Sequence, residues 1–195
     1  MVMEAQLRLA GEMGRAVSVH GVQAHGLLFD SIKGLWKGHE LTCSRAKRRQ
    51  NSDWDGETTV TQSAKPRHFP PRICLHSYSG SVENLSQYFM KTVPAEVYVS
   101  VSMVVNFTSE HGSEKANEVV RWVPDDRLLI ESDLHRAGEG IDDAMEAVGR
   151  KVCELKGWGL EEGVTILGRN WRRFVFGREE EVVNEKERSH RHELI

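Results

Sequence analysis

Arg127-Leu-Leu-Ile-Glu-Ser-Asp133 reads as a short apolar strand that closes on a carboxylate, and a glycine-bearing loop leads from it to Ile141, Met145, Val148, Val152 and Leu155. Those five positions keep an i, i+4, i+7, i+11, i+14 register, which lines them up along one stripe of a helix. A strand passing directly into a helix is one βα unit, the repeat from which parallel sheets are built.

The same unit recurs upstream. Arg15-Ala-Val-Ser-Val-His20 is too short for a helix and rich in β-branched residues, and Val22 to Lys33 follows it as a helix, with Leu28, Ile32 and Leu35 in helical register. Arg72-Ile-Cys-Leu-His76 is a second strand, followed by a helix from about Val82 to Lys91 with Leu85 and Phe89 inward. Glu96 to Val105 is the longest β-branched run and reads as a third strand, with a helix near Glu114 to Trp122. A helix over Glu4 to Gly14 opens the chain, its Leu9 and Met13 one turn apart and Gly14 suited to a C-cap; a last helix carries Ile166, Trp171 and Phe174. Four strands, each with its helix, predict an α/β fold with a parallel sheet and right-handed crossovers.

Two stretches interrupt this pattern. Residues 34–70 are rich in Ser, Thr, Asn, Asp and Gly, carry Arg45, Lys47, Arg48 and Arg49, and end in Pro70-Pro71, as expected for a surface insertion in a domain spanning 1–177. Residues 178–195 are highly charged and read as a disordered or frayed tail. Removing both leaves 140 residues, against the roughly 250 of a closed (β/α)8 barrel. Four strands alone leave two open edges.

Composition excludes several classes. The 195 residues are 39% hydrophobic and 28% charged, in the range of one ordinary soluble domain. No apolar run approaches the roughly 20 residues that cross a bilayer. Residues 1–14 are too polar for a signal peptide, so the expectation is an intracellular protein of cytoplasm and/or nucleus with no membrane partner. Cys43, Cys74 and Cys153 are odd in number and widely spaced, which makes neither a disulfide framework nor a zinc pattern. A net charge of -3 creates no global field for nucleic acid. No GxSxG, Walker A, GxGxxG or HExxH pattern occurs.

Chemistry concentrates at strand ends, because the βα loops of a parallel fold all open on the carboxyl-terminal face. His20, His76 and Asp133 each close a strand. Singly, each reads as a hydrogen-bonded cap; together, imidazole and carboxylate are the donor types of hydrolytic Zn, Mn or Mg sites. Glu131 shares a strand side with Asp133 and suits an orienting hydrogen bond to a ligand, a minor ligand role or a simple ion pair. His135 and Arg136, just past the strand, suit a phosphate contact or an exposed loop. The Arg45–Arg49 cluster suits nucleic-acid steering or a solvated loop. His25 and His39 lie off the strand ends, on a helix and in the insertion, and His190 and His192 in the tail lack partners at a recognised metal spacing.

Four segments carry a family resemblance. Ala5-Gln-Leu-Arg-Leu-Ala-Gly-Glu12 with Arg15-Ala-Val-Ser-Val-His20 resembles the TatD family's QLxLA helix and the strand ending in a metal-binding histidine. His76-Ser-Tyr-Ser-Gly80 is similar to its HCFSG turn, Leu128-Leu-Ile-Glu-Ser-Asp133 to its LLxETD strand, and Asn170-Trp-Arg-Arg-Phe174 to its closing NxxRLF helix. The resemblance implies a metal-dependent phosphodiester (DNA) hydrolase on an incomplete TIM (β/α)8-type barrel, comprising about the last four βα units. It implies metal ligands at His20, His76 and Asp133, with Asp133 catalytic, and two divalent ions (Mg, Mn or Zn) in the complete family site. His20 and His76 would serve one ion and Asp133 the other. The family's HxH strand and separate strand-borne Glu have no counterpart before the first helix, so impaired hydrolysis is expected of this chain. Asp133 is followed by Leu134-His135-Arg136 where the family usually has Ala-Pro, a variation similar to the fungal and other eukaryotic branch. The alternative is a non-catalytic TatD-like interaction or adaptor protein with a protein partner.

Overall fold

Four strands pair in parallel in the order in which they occur: β1 (Val17–His20), β2 (Arg72–His76), β3 (Glu96–Val101) and β4 (Leu128–Ile130). Seven α-helices accompany them among the described residues: α1 (Val2–Glu12), α2 (His25–Trp36), α3 (Val82–Ser86), α4 (Met103–Asn106), α5 (Glu110–Trp122), α6 (Ile141–Lys156) and α7 (Leu160–Phe176). This computed structural model describes residues 2–41, 67–135, 138 and 140–177; the Arg45–Arg49 cluster, Arg136, His190, His192 and the charged tail lie outside the described residues. Sequential parallel strands, each followed by helix, form the arrangement of consecutive (β/α)8-barrel units.

The strand alternation explains both faces of the sheet. Ile73, Leu75, Val97, Val99, Val101 and Leu128 join Leu28, Ile32, Leu85, Val119, Val148 and Val152 in the main core. The intervening Cys74, Tyr98 and Leu129 point the other way and pack with Phe174 of α7. Cover on both sides is why these strands read as nearly unbroken apolar runs. Burial pushes the Cys74 thiol up to about 11, which makes it a packing residue rather than a nucleophile.

The closing helix is tied to the sheet by polar groups as well as by Phe174. Asn170, fully buried, donates from Nδ2 to the carbonyls of Asp125 (2.6 Å) and Leu128 (2.9 Å), and Arg72 Nε donates to the Phe174 carbonyl at 2.8 Å. Trp171 is 52% exposed, because Leu167 and Asn170 hold the buried stripe.

Other departures have local causes. In α1 the inward residues are Leu7 and Gly11 rather than Leu9 and Met13. Gly11 lies so close to the Phe69 backbone that a Cβ there has no room. Gly14 does adopt a left-handed C-cap, with φ 64°. Helix α2 runs three residues past Lys33, burying Leu35 and Trp36, so the start of the expected insertion is core; Phe69, near its end, is also buried. Strand β3 stops at Val101, although Val104 and Val105 are β-branched. The Ser102 hydroxyl accepts from Val105 N and Asn106 Oδ1 accepts from Ser102 N at 2.8 Å, a reciprocal cap that turns the segment into α4.

Candidate functional site

Strands β1, β2 and β4 deliver the titratable residues to one end of the sheet. His20 and His76 are register partners on adjacent strands, with ring centroids 5.0 Å apart. Glu131 continues β4 by donating its N–H to the Val101 carbonyl at 3.1 Å, and its side chain then turns toward β2. Asp133 leaves the extended conformation altogether, with φ 53°, so it is not the last residue of a strand as its sequence suggests. The left-handed turn brings its Oδ1 to 3.0 Å from His76 Nε2. On the opposite ring nitrogen, His76 Nδ1 meets Glu131 Oε2 at 2.6 Å. The three side chains are 22–26% exposed, so solvent reaches the cluster without flooding it.

The backbone is strained in three βα loops at this rim. Gln23 (φ 51°), Ser77 (φ 40°) and Asp133 (φ 53°) are the positive-φ non-glycine residues among those described, following β1, β2 and β4 in turn. Such conformations cost on the order of 1–3 kcal/mol each and persist where surrounding contacts enforce them. At Ser77 those contacts are visible: its N–H and hydroxyl both donate to Glu131 Oε1, at 2.8 and 2.6 Å. Ser100 Oγ donates to the same oxygen at 2.8 Å. Ser77 and Ser100 were not singled out from the sequence. Ser77 directly follows a strand-end histidine and Ser100 is a buried polar residue of β3 on the side of Tyr98, but neither position by itself marks a shared carboxylate.

The remaining candidates are peripheral. His25 begins α2 and packs against Tyr78 with ring centroids 4.8 Å apart; burial first, and then Lys115, lowers its pKa. His135 is exposed. His39 packs against Phe69, 5.4 Å between centroids, far along the chain from the strand ends.

As a metal site, the cluster fits in donor type but not in number. Two imidazoles and a carboxylate are appropriate for a divalent ion. Yet among the described residues no three His, Cys, Asp or Glu side chains are disposed around one point to hold it.

The family described as TatD related DNase matches residues 1–176. The chain belongs to this TatD family. It is 39% identical over 174 residues to the Cut9-interacting protein scn1 of Schizosaccharomyces pombe, covering 89% of this chain and 50% of that protein. It is 31% identical over 127 residues to the uncharacterized deoxyribonuclease YMR262W of Saccharomyces cerevisiae, covering 65% of this chain and 30% of the other. The chain thus spans half or less of these relatives. A solved hydrolase of the TatD family from Entamoeba histolytica superposes with a TM-score of 0.43 at 14% identity, over 55% of this chain and 43% of that one.

Proposed function

We propose that this TatD-family chain carries the histidine–aspartate part of a divalent-metal centre for phosphodiester hydrolysis, DNA included, in which His20, His76 and Asp133 would be ligands and Asp133 the catalytic residue. The observation that supports this most is the direct pairing of His76 Nε2 with Asp133 Oδ1 beside His20, at the carboxyl-terminal rim of a parallel sheet. A bound divalent ion would supply Lewis-acid polarisation and an activated water. The chain's own residues hold two donors at a fixed separation, orient one imidazole between two carboxylates, and limit solvent at that ring. Because the described donors are too few for a cage, hydrolysis by the 195-residue chain acting alone is expected to be weak or absent.

A fusion of this chain to the half of the Schizosaccharomyces pombe relative that it does not match tests the reading, assayed on labelled duplex DNA with Mg²⁺ or Mn²⁺. Cleavage that His76→Ala and Asp133→Asn each reduce at least a hundredfold supports it. Cleavage indifferent to both substitutions sinks it.

A non-catalytic protein-binding role is the second reading, favoured by the likeness to the Cut9-interacting protein scn1. An inactive fusion that captures purified Cut9 of Schizosaccharomyces pombe, the partner in that relative's name, would favour that role over hydrolysis.

A further inference from the structure

Glu131 makes contacts on both carboxylate oxygens, and their chemistry decides where the proton on His76 sits. Oε1 faces the Ser77 N–H at 2.8 Å, the Ser77 hydroxyl at 2.6 Å and the Ser100 hydroxyl at 2.8 Å. Three donors converging on one oxygen are hydrogen bonds made to the charged form, so they favour the acceptor-only carboxylate. Oε2 lies 2.6 Å from His76 Nδ1, a separation that requires a proton between them. That proton belongs to the ring.

We infer that Glu131 is a positioning residue that fixes His76 as the tautomer protonated at Nδ1, leaving Nε2 to present its lone pair toward Asp133. The opposite tautomer would set an Nδ1 lone pair against a carboxylate oxygen at 2.6 Å. With Nδ1 committed, Nε2 and Asp133 Oδ1 are two electron-rich atoms 3.0 Å apart, a pair that calls for positive charge between them. Ser77 and Ser100 act one step further out by anchoring Glu131, and the left-handed Ser77 backbone is the means by which both its donors reach one oxygen. A histidine that must offer a nitrogen to a cation commonly has its other nitrogen held in this way. The functional meaning of the tautomer rests on the proposed site; the tautomer itself does not.

Long-range ¹H–¹⁵N NMR on ¹⁵N-labelled protein, above the ordinary histidine titration range, reads the tautomer of His76 directly, with His76→Gln to assign it. In the wild-type chain Nδ1 should carry the proton. In Glu131→Gln the amide oxygen can keep the serine donors while the amide N–H₂ faces Nδ1, so the dominant tautomer should invert. A wild-type ring protonated at Nε2, or a folded Glu131→Gln chain with the wild-type pattern, overturns the inference; the wild-type spectrum decides even if the variant does not fold. Titration with Zn²⁺ separates the two readings. An Nδ1–H ring that ignores zinc upholds the role of Glu131 and counts against the metal site, whereas zinc binding by an Nε2–H ring does the reverse.

Discussion

Replacing Asn170 by alanine should destabilise the chain more than any surface change, and the size follows from its two hydrogen bonds. Nδ2 serves the carbonyls of Leu128 and Asp125. Leu128 is fully buried, so its carbonyl is left without water when the amide goes; an orphaned buried acceptor costs about 1–3 kcal/mol. Asp125 is exposed, so its carbonyl rehydrates and the loss there is nearer about 1 kcal/mol, the net value of an ordinary hydrogen bond. The sum, about 2–4 kcal/mol, is a large share of the roughly 5–15 kcal/mol that stabilises a typical domain. Urea unfolding followed by tryptophan fluorescence and circular dichroism should show a lower midpoint with an unchanged slope. Asn170→Asp should be worse than Asn170→Ala, since it aims carboxylate oxygens at two carbonyls. A loss below about 0.5 kcal/mol for alanine, the scale of surface substitutions, or an aspartate variant as stable as the alanine one, would refute the role given to this residue in clamping α7 to the start of β4.

Two further outcomes follow from packing and charge. A Cβ on Gly163 would collide with Cys153 Sγ, so Gly163→Ala should cost about 1–3 kcal/mol as an overpacked contact, and Cys153→Ala should restore most of it in a double-mutant cycle. His25 is held below its ordinary pKa by burial and then by Lys115. The unfolded state therefore takes up a proton first on acidification, and stability should fall as pH drops below about 6.5, the unfolded histidine value. His25→Asn should remove that component from a pH series of melting curves; an unchanged series would contradict it.

The βα alternation was legible because each element carries its own period. Ile73 and Leu75 belong to an apolar run too short for a helix, and Val148 and Val152 keep a helical stripe. The convergence of His20 and His76 was equally legible, since parallel strands in register carry their last residues to one rim. Less legible were features decided by single hydrogen bonds. Val104 and Val105 favour extended backbone, but the Ser102–Asn106 cap overrides them. Asp133 reads as the end of a strand, yet it reaches His76 only by leaving the strand with a left-handed φ. Ser77 and Ser100 matter through the carboxylate they share, a pairing 23 residues apart that no local pattern signals. The roles of ligand and catalyst came from the family resemblance, while the residues alone gave only donor type and position.

The convergence of imidazole and carboxylate groups at one rim is tested most directly by adding Mn²⁺ to ¹⁵N-labelled protein and following the histidine side-chain resonances, because paramagnetic broadening registers even weak, partial occupancy. His20 and His76 should broaden together at the lowest additions, while His111, exposed on α5, stays sharp. Asp133→Asn should abolish the effect on both rings. Broadening of His111 equal to that of His76, or sharp His20 and His76 signals throughout, would contradict a cation site at this rim.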